Sequence, residues 1–185
     1  MTRRGRKPGD GAGKPAPSTL SHEEQLEMAR EAALRLLGVR ERSAVELRGR
    51  LRQKGFDPEV IVSVVDQLQE SSLQDDGRFA ARFAESASAR GMAGRRIQAE
   101  LRARGVCKEL AAEAAVEDPD SELERARDLA TRRAGQLGDL PIDAQVRRLV
   151  GLLARRGFDP QTCYRVAAEV VRSPSLDPVV PRDLP

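Results

Sequence analysis

The sequence predicts an all-α protein: three tandem three-helix repeats of about 50 residues that stack into an elongated, curved array. Three observations carry that expectation. One stop signal recurs three times, at intervals of 50 and 52 residues. Apolar residues recur at helical spacing with no alternating strand pattern to compete. The apolar content is aliphatic, with aromatics at 3% and no Trp, so a core of Leu, Val, Ile and Ala favours helices over a sandwich or barrel.

The stop signal is the strongest of the three. Leu47, Leu51 and Gly55 recur as Ile97, Leu101 and Gly105, and again as Leu149, Leu153 and Gly157. Each glycine follows a cation (Lys54, Arg104, Arg156) and precedes an apolar residue (Phe56, Val106, Phe158). A glycine just past a helix end takes the left-handed conformation, and the next residue folds back onto the helix. The expected contacts are Leu51 with Phe56, Leu101 with Val106, and Leu153 with Phe158.

The remaining elements follow from this register. First helices are expected near 23–38, 76–90 and 121–135, with apolar spacing at Ala33, Leu36 and Leu37, at Phe79, Ala80 and Phe83, and at Ala126, Leu129 and Ala130. The second helix of copy one opens on Ser43-Ala44-Val45-Glu46, a capping box. In copy three it opens on Pro141, and in copy two after Gly91-Met92-Ala93-Gly94. Third helices start at Asp57-Pro58-Glu59 and Asp159-Pro160-Gln161, each offering a side-chain cap and then a proline whose missing N–H costs nothing. Val60, Ile61, Val64, Val65 and Leu68 form the inward face in copy one; Cys163, Val166, Ala167 and Val170 take the last four places in copy three. The middle copy is sparser, with Leu110, Ala111, Ala114 and Ala115. The boundaries read as a disordered basic tail over 1–20, repeats over 21–72, 73–118 and 119–173, and a Pro-rich tail over 174–185. Modules of this size lean on their neighbours for stability.

Charge and composition narrow the function. The formal charge is only +3, but 32 Lys and Arg face 29 Asp and Glu, so any basic patch outside the N-terminal tail must be local. Cys107 and Cys163 do not make a secreted disulfide framework, which favours a reducing compartment. No apolar stretch of membrane-spanning length and no signal-peptide core is present, so the expected location is cytoplasmic, with no membrane partner.

No catalytic or metal site emerges, and no cofactor is expected. The one histidine, His22, sits at the edge of the tail, and two distant cysteines cannot supply zinc-finger spacing. No P-loop motif is present. Asp75-Asp76 reads as a helix cap and not a paired-carboxylate centre, and Gly91-Met92-Ala93-Gly94 as a flexible helix start and not a phosphate-gripping loop. Cys163 falls in the register of Ile61 and reads as core; Cys107 sits at a helix mouth without a partner thiol. Lys54, Arg104 and Arg156 sit at helix ends, where cations favour the dipole.

The arginines are more suggestive. Arg48 and Arg52 lie four apart, on the face away from Leu47 and Leu51, and Arg95-Arg96 and Arg147-Arg148 fall at equivalent places in copies two and three. Such residues form either a solvated helix face or a surface that meets nucleic acid or an acidic protein. With so few aromatics, a base-stacking platform is disfavoured.

Arg40-Glu41-Arg42-Ser43, then Glu46-Leu47 and Leu51-Arg52-Gln53-Lys54-Gly55-Phe56, is similar to the signature of the bacterial RecX regulators. So are Leu73-Gln74-Asp75-Asp76-Gly77-Arg78-Phe79-Ala80 with Phe83, Ile97-Gln98-Ala99-Glu100-Leu101 with Gly105-Val106, and Arg155-Arg156-Gly157-Phe158. The resemblance runs from about Ala29 to Val171. The chain departs from the pattern at Ser72, where a glycine is usual, at Gly49 inside a helix, and in the sparse third helix of the middle copy. The resemblance implies a non-enzymatic, monomeric regulator that lies in the groove of RecA–DNA filaments and opposes strand exchange, ATP hydrolysis and repressor cleavage in DNA repair and the SOS response. Its implied partners are RecA and its nucleoprotein filament, with single- or double-stranded DNA as a further candidate. Arg48, Arg52, Arg95, Arg96, Arg102, Arg147 and Arg148 are the expected contacts to acidic RecA surface or exposed DNA backbone. The alternative is a helical DNA-binding protein that affects recombination indirectly.

Overall fold

The computed structural model describes residues 20–138 and 140–172, and the two expected tails lie outside or almost wholly outside them. Nine α-helices and no strands are found among these residues: α1 (His22–Val39), α2 (Ala44–Gln53), α3 (Pro58–Glu70), α4 (Asp76–Ala89), α5 (Gly94–Ala103), α6 (Lys108–Ala114), α7 (Pro119–Ala134), α8 (Ile142–Arg156) and α9 (Pro160–Arg172). They fall into two compact units that divide between Gln74 and Asp75.

The three glycines stop their helices as expected. Gly55, Gly105 and Gly157 hold φ of 88°, 86° and 95°. The N–H groups of Phe56, Val106 and Phe158 donate back to the carbonyls of Leu51, Leu101 and Leu153 at 3.5, 3.1 and 3.3 Å. This closes the loop that buries each following apolar residue.

The first unit is α1, α2 and α3 around one core. Leu47 and Leu51 from α2 and Val60, Ile61, Val64, Val65 and Leu68 from α3 are all buried, with Ala29 and Ala33 of α1 letting the helices approach. Burying a side chain of this size contributes about 1.5–3 kcal/mol, so the five α3 residues dominate this unit. Ser21 and Glu24 form a full capping box at the start of α1, and Ser43 accepts from the Glu46 N–H at 3.1 Å.

One expected cap is replaced. Asp57 makes no side-chain cap at α3. Its carboxylate instead accepts from Gln25 Nε2 at 2.8 Å, and its own N–H donates to Gln25 Oε1 at 3.2 Å. Gln25 is 3% exposed, so this two-way amide contact ties α1 to the start of α3 across 32 residues of chain. Asp159 does cap α9, accepting from the Thr162 N–H at 3.0 Å, and hydrogen bonds from Thr162 hold its carboxyl below the ordinary range.

The second unit holds α4–α6 and α7–α9. Phe79, Ala80, Ile97, Leu101 and Val106 centre the first of these cores, and Leu149, Leu153, Phe158, Cys163 and Val166 the second. Ala93, which precedes α5, is buried in the second core, so the two modules interpenetrate. The short α6 buries only Ala111, in keeping with its sparse apolar pattern. Arg104, at the end of α5, lies over the Phe83 ring at 4.8 Å from its centroid.

Candidate functional site

The segment Gly91–Gly94, expected as a flexible helix start, has a packing role. Gly91 is buried with φ of 76°, and a Cβ on Gly94 would stand 2.7 Å from the Ala115 carbonyl oxygen. Alanine at N-cap position 93 offers no side-chain acceptor, and the Gly94 N–H donates to Glu122 Oε1 of α7 at 3.2 Å instead. Around this segment a seam joins the two modules of the second unit. The Ala93 N–H donates to the Arg156 carbonyl at 3.0 Å, the Arg96 guanidinium to the Arg155 carbonyl, and the Arg156 guanidinium to the Arg90 carbonyl. A glycine at 157 makes the close approach possible: a Cβ there would lie 2.4 Å from Arg96 Cβ.

The seven arginines singled out in the sequence therefore have different fates. Arg48 is half-buried and pairs with Asp66 of α3 at 3.1 Å. Arg96 belongs to the seam and also pairs with Glu100 at 3.5 Å. Arg52, Arg95, Arg102, Arg147 and Arg148 are exposed. Arg95-Arg96 and Arg147-Arg148 share one register before Ile97 and Leu149, but the first copy has Val45 and Glu46 there.

Arg147 and Arg148 belong to a larger feature. They line an open groove of about 550 Å³ with Arg133, Arg155, Ala144, Gly151 and Leu152. Arg147, Gly151 and Arg155 are successive four-residue steps along α8, with Arg148 beside them, while Arg133 comes from the last turn of α7. Arg133 donates to Gln136 Oε1 at 2.7 Å, and none of the four pairs with a carboxylate among the described residues. Elsewhere Arg125 pairs with Glu117 and Arg127 with Glu169, so this gathering departs from the pairing seen in neighbouring helices. Arg155 was within reach of sequence reasoning, because it continues the α8 stripe; Arg133 is on another helix and only the fold brings it near.

The remaining candidates resolve into structural roles. Asp75 accepts from the Arg78 N–H at 2.9 Å and caps α4. Cys163 is buried, and desolvation raises its thiol pKa; Cys107 is exposed ahead of α6. Among the described residues no group of three or more His, Cys, Asp or Glu is placed to hold a metal, and no helix is long and apolar enough to cross a membrane.

Tandem three-helix modules, stopped by left-handed glycines, define a helical-repeat protein. Three family models match in order: the first, second and third three-helix domains of RecX, over residues 29–68, 75–114 and 120–167. The chain belongs to the RecX family. It is 39% identical over 158 residues to the regulatory protein RecX of Amycolatopsis mediterranei, covering 84% of this chain and 90% of that one. It is 36% identical over 171 residues to the regulatory protein RecX of Thermobifida fusca, covering 91% and 92%. The fold matches the crystal structure of RecX from Lactobacillus salivarius with a TM-score of 0.69 at 17% identity, over 80% of this chain and 97% of that one.

Proposed function

We propose that this protein is a non-enzymatic regulator that binds RecA filaments and inhibits RecA recombinase, ATPase and coprotease activity. The observation that carries this reading is the ordered match of all three RecX domains, together with relatives named regulatory proteins across more than four-fifths of the chain. Exposed arginines on helices of both units support it: Arg52 in the first, and Arg95, Arg102, Arg147 and Arg148 in the second. Arg48 and Arg96 are already engaged within the fold. The protein acts in the cytoplasm, as a monomer, and needs no cofactor.

The test is RecA-dependent ATP hydrolysis on single-stranded DNA during titration with this protein. Hydrolysis should fall progressively, and Arg95→Glu with Arg102→Glu should weaken the inhibition at an unchanged thermal midpoint, since reversing an interface charge adds repulsion while exposed helix positions carry little fold stability. Hydrolysis that stays constant through the titration rejects the reading. The unpaired arginine groove favours a second reading, a helical DNA-binding protein acting on recombination indirectly. Equal affinity for bare and RecA-coated DNA would select it.

A further inference from the structure

We propose that residues 173–185 dock as a strap on the chain's own surface. Leu176 and Val179 fill the groove between the start of α8 and the end of α9, and Asp177 neutralises Arg147 and Arg172 on its rim. The docking is independent of the regulatory reading; its consequence, a shielded Arg147, rests on that reading.

The helices α8 and α9 form a hairpin, so the last turn of α9 lies beside the first turns of α8. There they leave an open groove of about 370 Å³. Ile142 and Val146 line it from α8, and Ala168 and Val171 from α9. Ile142 is 64% exposed, although isoleucine is among the residues most often buried. Arg147 and Arg172 stand exposed in the same groove, and neither pairs with a carboxylate among the described residues, Asp143 beside them included. An apolar floor edged by two unpaired cations fits a short segment that carries aliphatic side chains next to a carboxylate.

The chain supplies that segment where it leaves the groove. Arg172 is followed by Ser173-Pro174-Ser175-Leu176-Asp177-Pro178-Val179-Val180-Pro181. A proline at 174 opposes any continuation of α9. Four residues of extended chain, from Arg172 to Leu176, reach about 13 Å. The groove wall from Ile142 to Arg147 rises only about 7.5 Å, so Leu176 and Val179 are within range of all of it. Prolines at 174, 178 and 181 favour the left-handed extended helix, in which Leu176 and Val179 share one edge about 9 Å apart. Fixed proline φ angles reduce the entropy lost on docking, and a short tether raises the local concentration to about the millimolar range.

A second copy of the chain fits less well. A stable interface between two chains buries about 1,200–2,000 Å². Of the large apolar side chains that stand exposed among the described residues, only Ile142 belongs to this groove. Arg147 also lines the α7–α8 groove with Arg148 and Arg155, so the docked strap shields one cation of that surface until a partner displaces it.

The chain has no Trp, so Leu176→Trp places a single probe in the strap. In the full chain its emission should lie to the blue of the same substitution in a peptide of residues 173–185, and acrylamide should quench it less than half as efficiently. Adding Ile142→Asp, at an exposed first-turn position where a carboxylate favours the helix, should restore the peptide values at an unchanged thermal midpoint. Because an indole is bulkier than leucine, a disulfide provides a second measurement. In a Cys107→Ser background, Ile142→Cys with Leu176→Cys should cross-link within one chain faster in native buffer than in urea. Peptide-like emission together with no native acceleration of the cross-link overturns the proposal. So does a blue shift that ignores Ile142→Asp, or one that grows with protein concentration, which would assign the groove to the tail of another copy. Leu176→Ser with Val179→Ser should inhibit RecA ATP hydrolysis at a lower concentration than wild type. Equal potency overturns the shielding of Arg147, and no inhibition by either chain removes the regulatory reading while the strap stands on the fluorescence.

Discussion

Replacing Gly157 by Ala should destabilise the second unit well beyond the ordinary cost of a left-handed alanine. Gly157 holds φ of 95°, and the left-handed region costs an L-residue about 1–2 kcal/mol. A second cost is particular to this position. The new Cβ would stand 2.4 Å from Arg96 Cβ, 3.2 Å from its backbone N and 3.3 Å from its Cα. None of these is the free end of a side chain, so α5 or α8 must move, and overpacking of this kind costs about 1–3 kcal/mol. Gly138 supplies the comparison: its φ is 57°, and a Cβ there meets nothing within 4 Å. Gly138→Ala should therefore show the backbone cost alone. At about 3–5 °C per kcal/mol for a unit of this size, Gly157→Ala should melt roughly 3–15 °C below Gly138→Ala. Hydrogen exchange should place the damage at the seam, with the Ala93 amide losing protection as its bond to the Arg156 carbonyl opens. Equal melting of the two variants, or undisturbed exchange at Ala93, would refute the idea that the seam needs a glycine.

Two further outcomes follow from single residues. In native protein a thiol reagent should modify Cys107 quickly and leave Cys163 untouched until unfolding, because Cys107 is exposed and burial keeps the Cys163 thiol protonated; two equally fast thiols would contradict the burial. Ser72 alone among the described non-glycine residues holds a positive φ, 56°, so Ser72→Gly should raise the denaturation midpoint by the equivalent of up to about 1 kcal/mol. A lower midpoint would show that the serine side chain contributes more than its backbone strain costs.

What was legible in the sequence was whatever depends on neighbours along the chain. The glycine stops, the prolines at the starts of α3 and α9, the Asp75 cap and the inward face of α3 all follow from local spacing, and each is found where expected. The Ser72 departure was also visible, and it marks the one non-glycine position among the described residues that adopts the conformation a glycine would take freely. What escaped depends on partners far away in sequence. Asp57 has the composition of a cap, but Gln25 lies 32 residues earlier and claims its carboxylate. Gly91–Gly94 looks like loose chain until Ala115 and Glu122 are brought against it. The two arginine pairs look alike because they share a register, yet Arg96 turns to the end of α8 while Arg148 lines a groove with Arg133. Periodicity identifies which residues share a face, and it carries no information about which distant carbonyl that face will meet.

The seam between the second and third modules has an evolutionary consequence. Its three acceptors are main-chain carbonyls, at Arg90, Arg155 and Arg156, and one of its donors is the main-chain N–H of Ala93. Acceptors of this kind are present whatever residue occupies the position, so Arg90 and Arg155 are free to change identity without removing their part of the junction. The spacing has no such freedom. One residue inserted or deleted between 90 and 96, or between 155 and 157, would rotate the helix ends by about 100° per residue and put every carbonyl out of reach at once. Descendants of this chain should therefore vary at Arg90 and Arg155 while keeping the junction's length, its glycines and the donor side chains at positions 96 and 156.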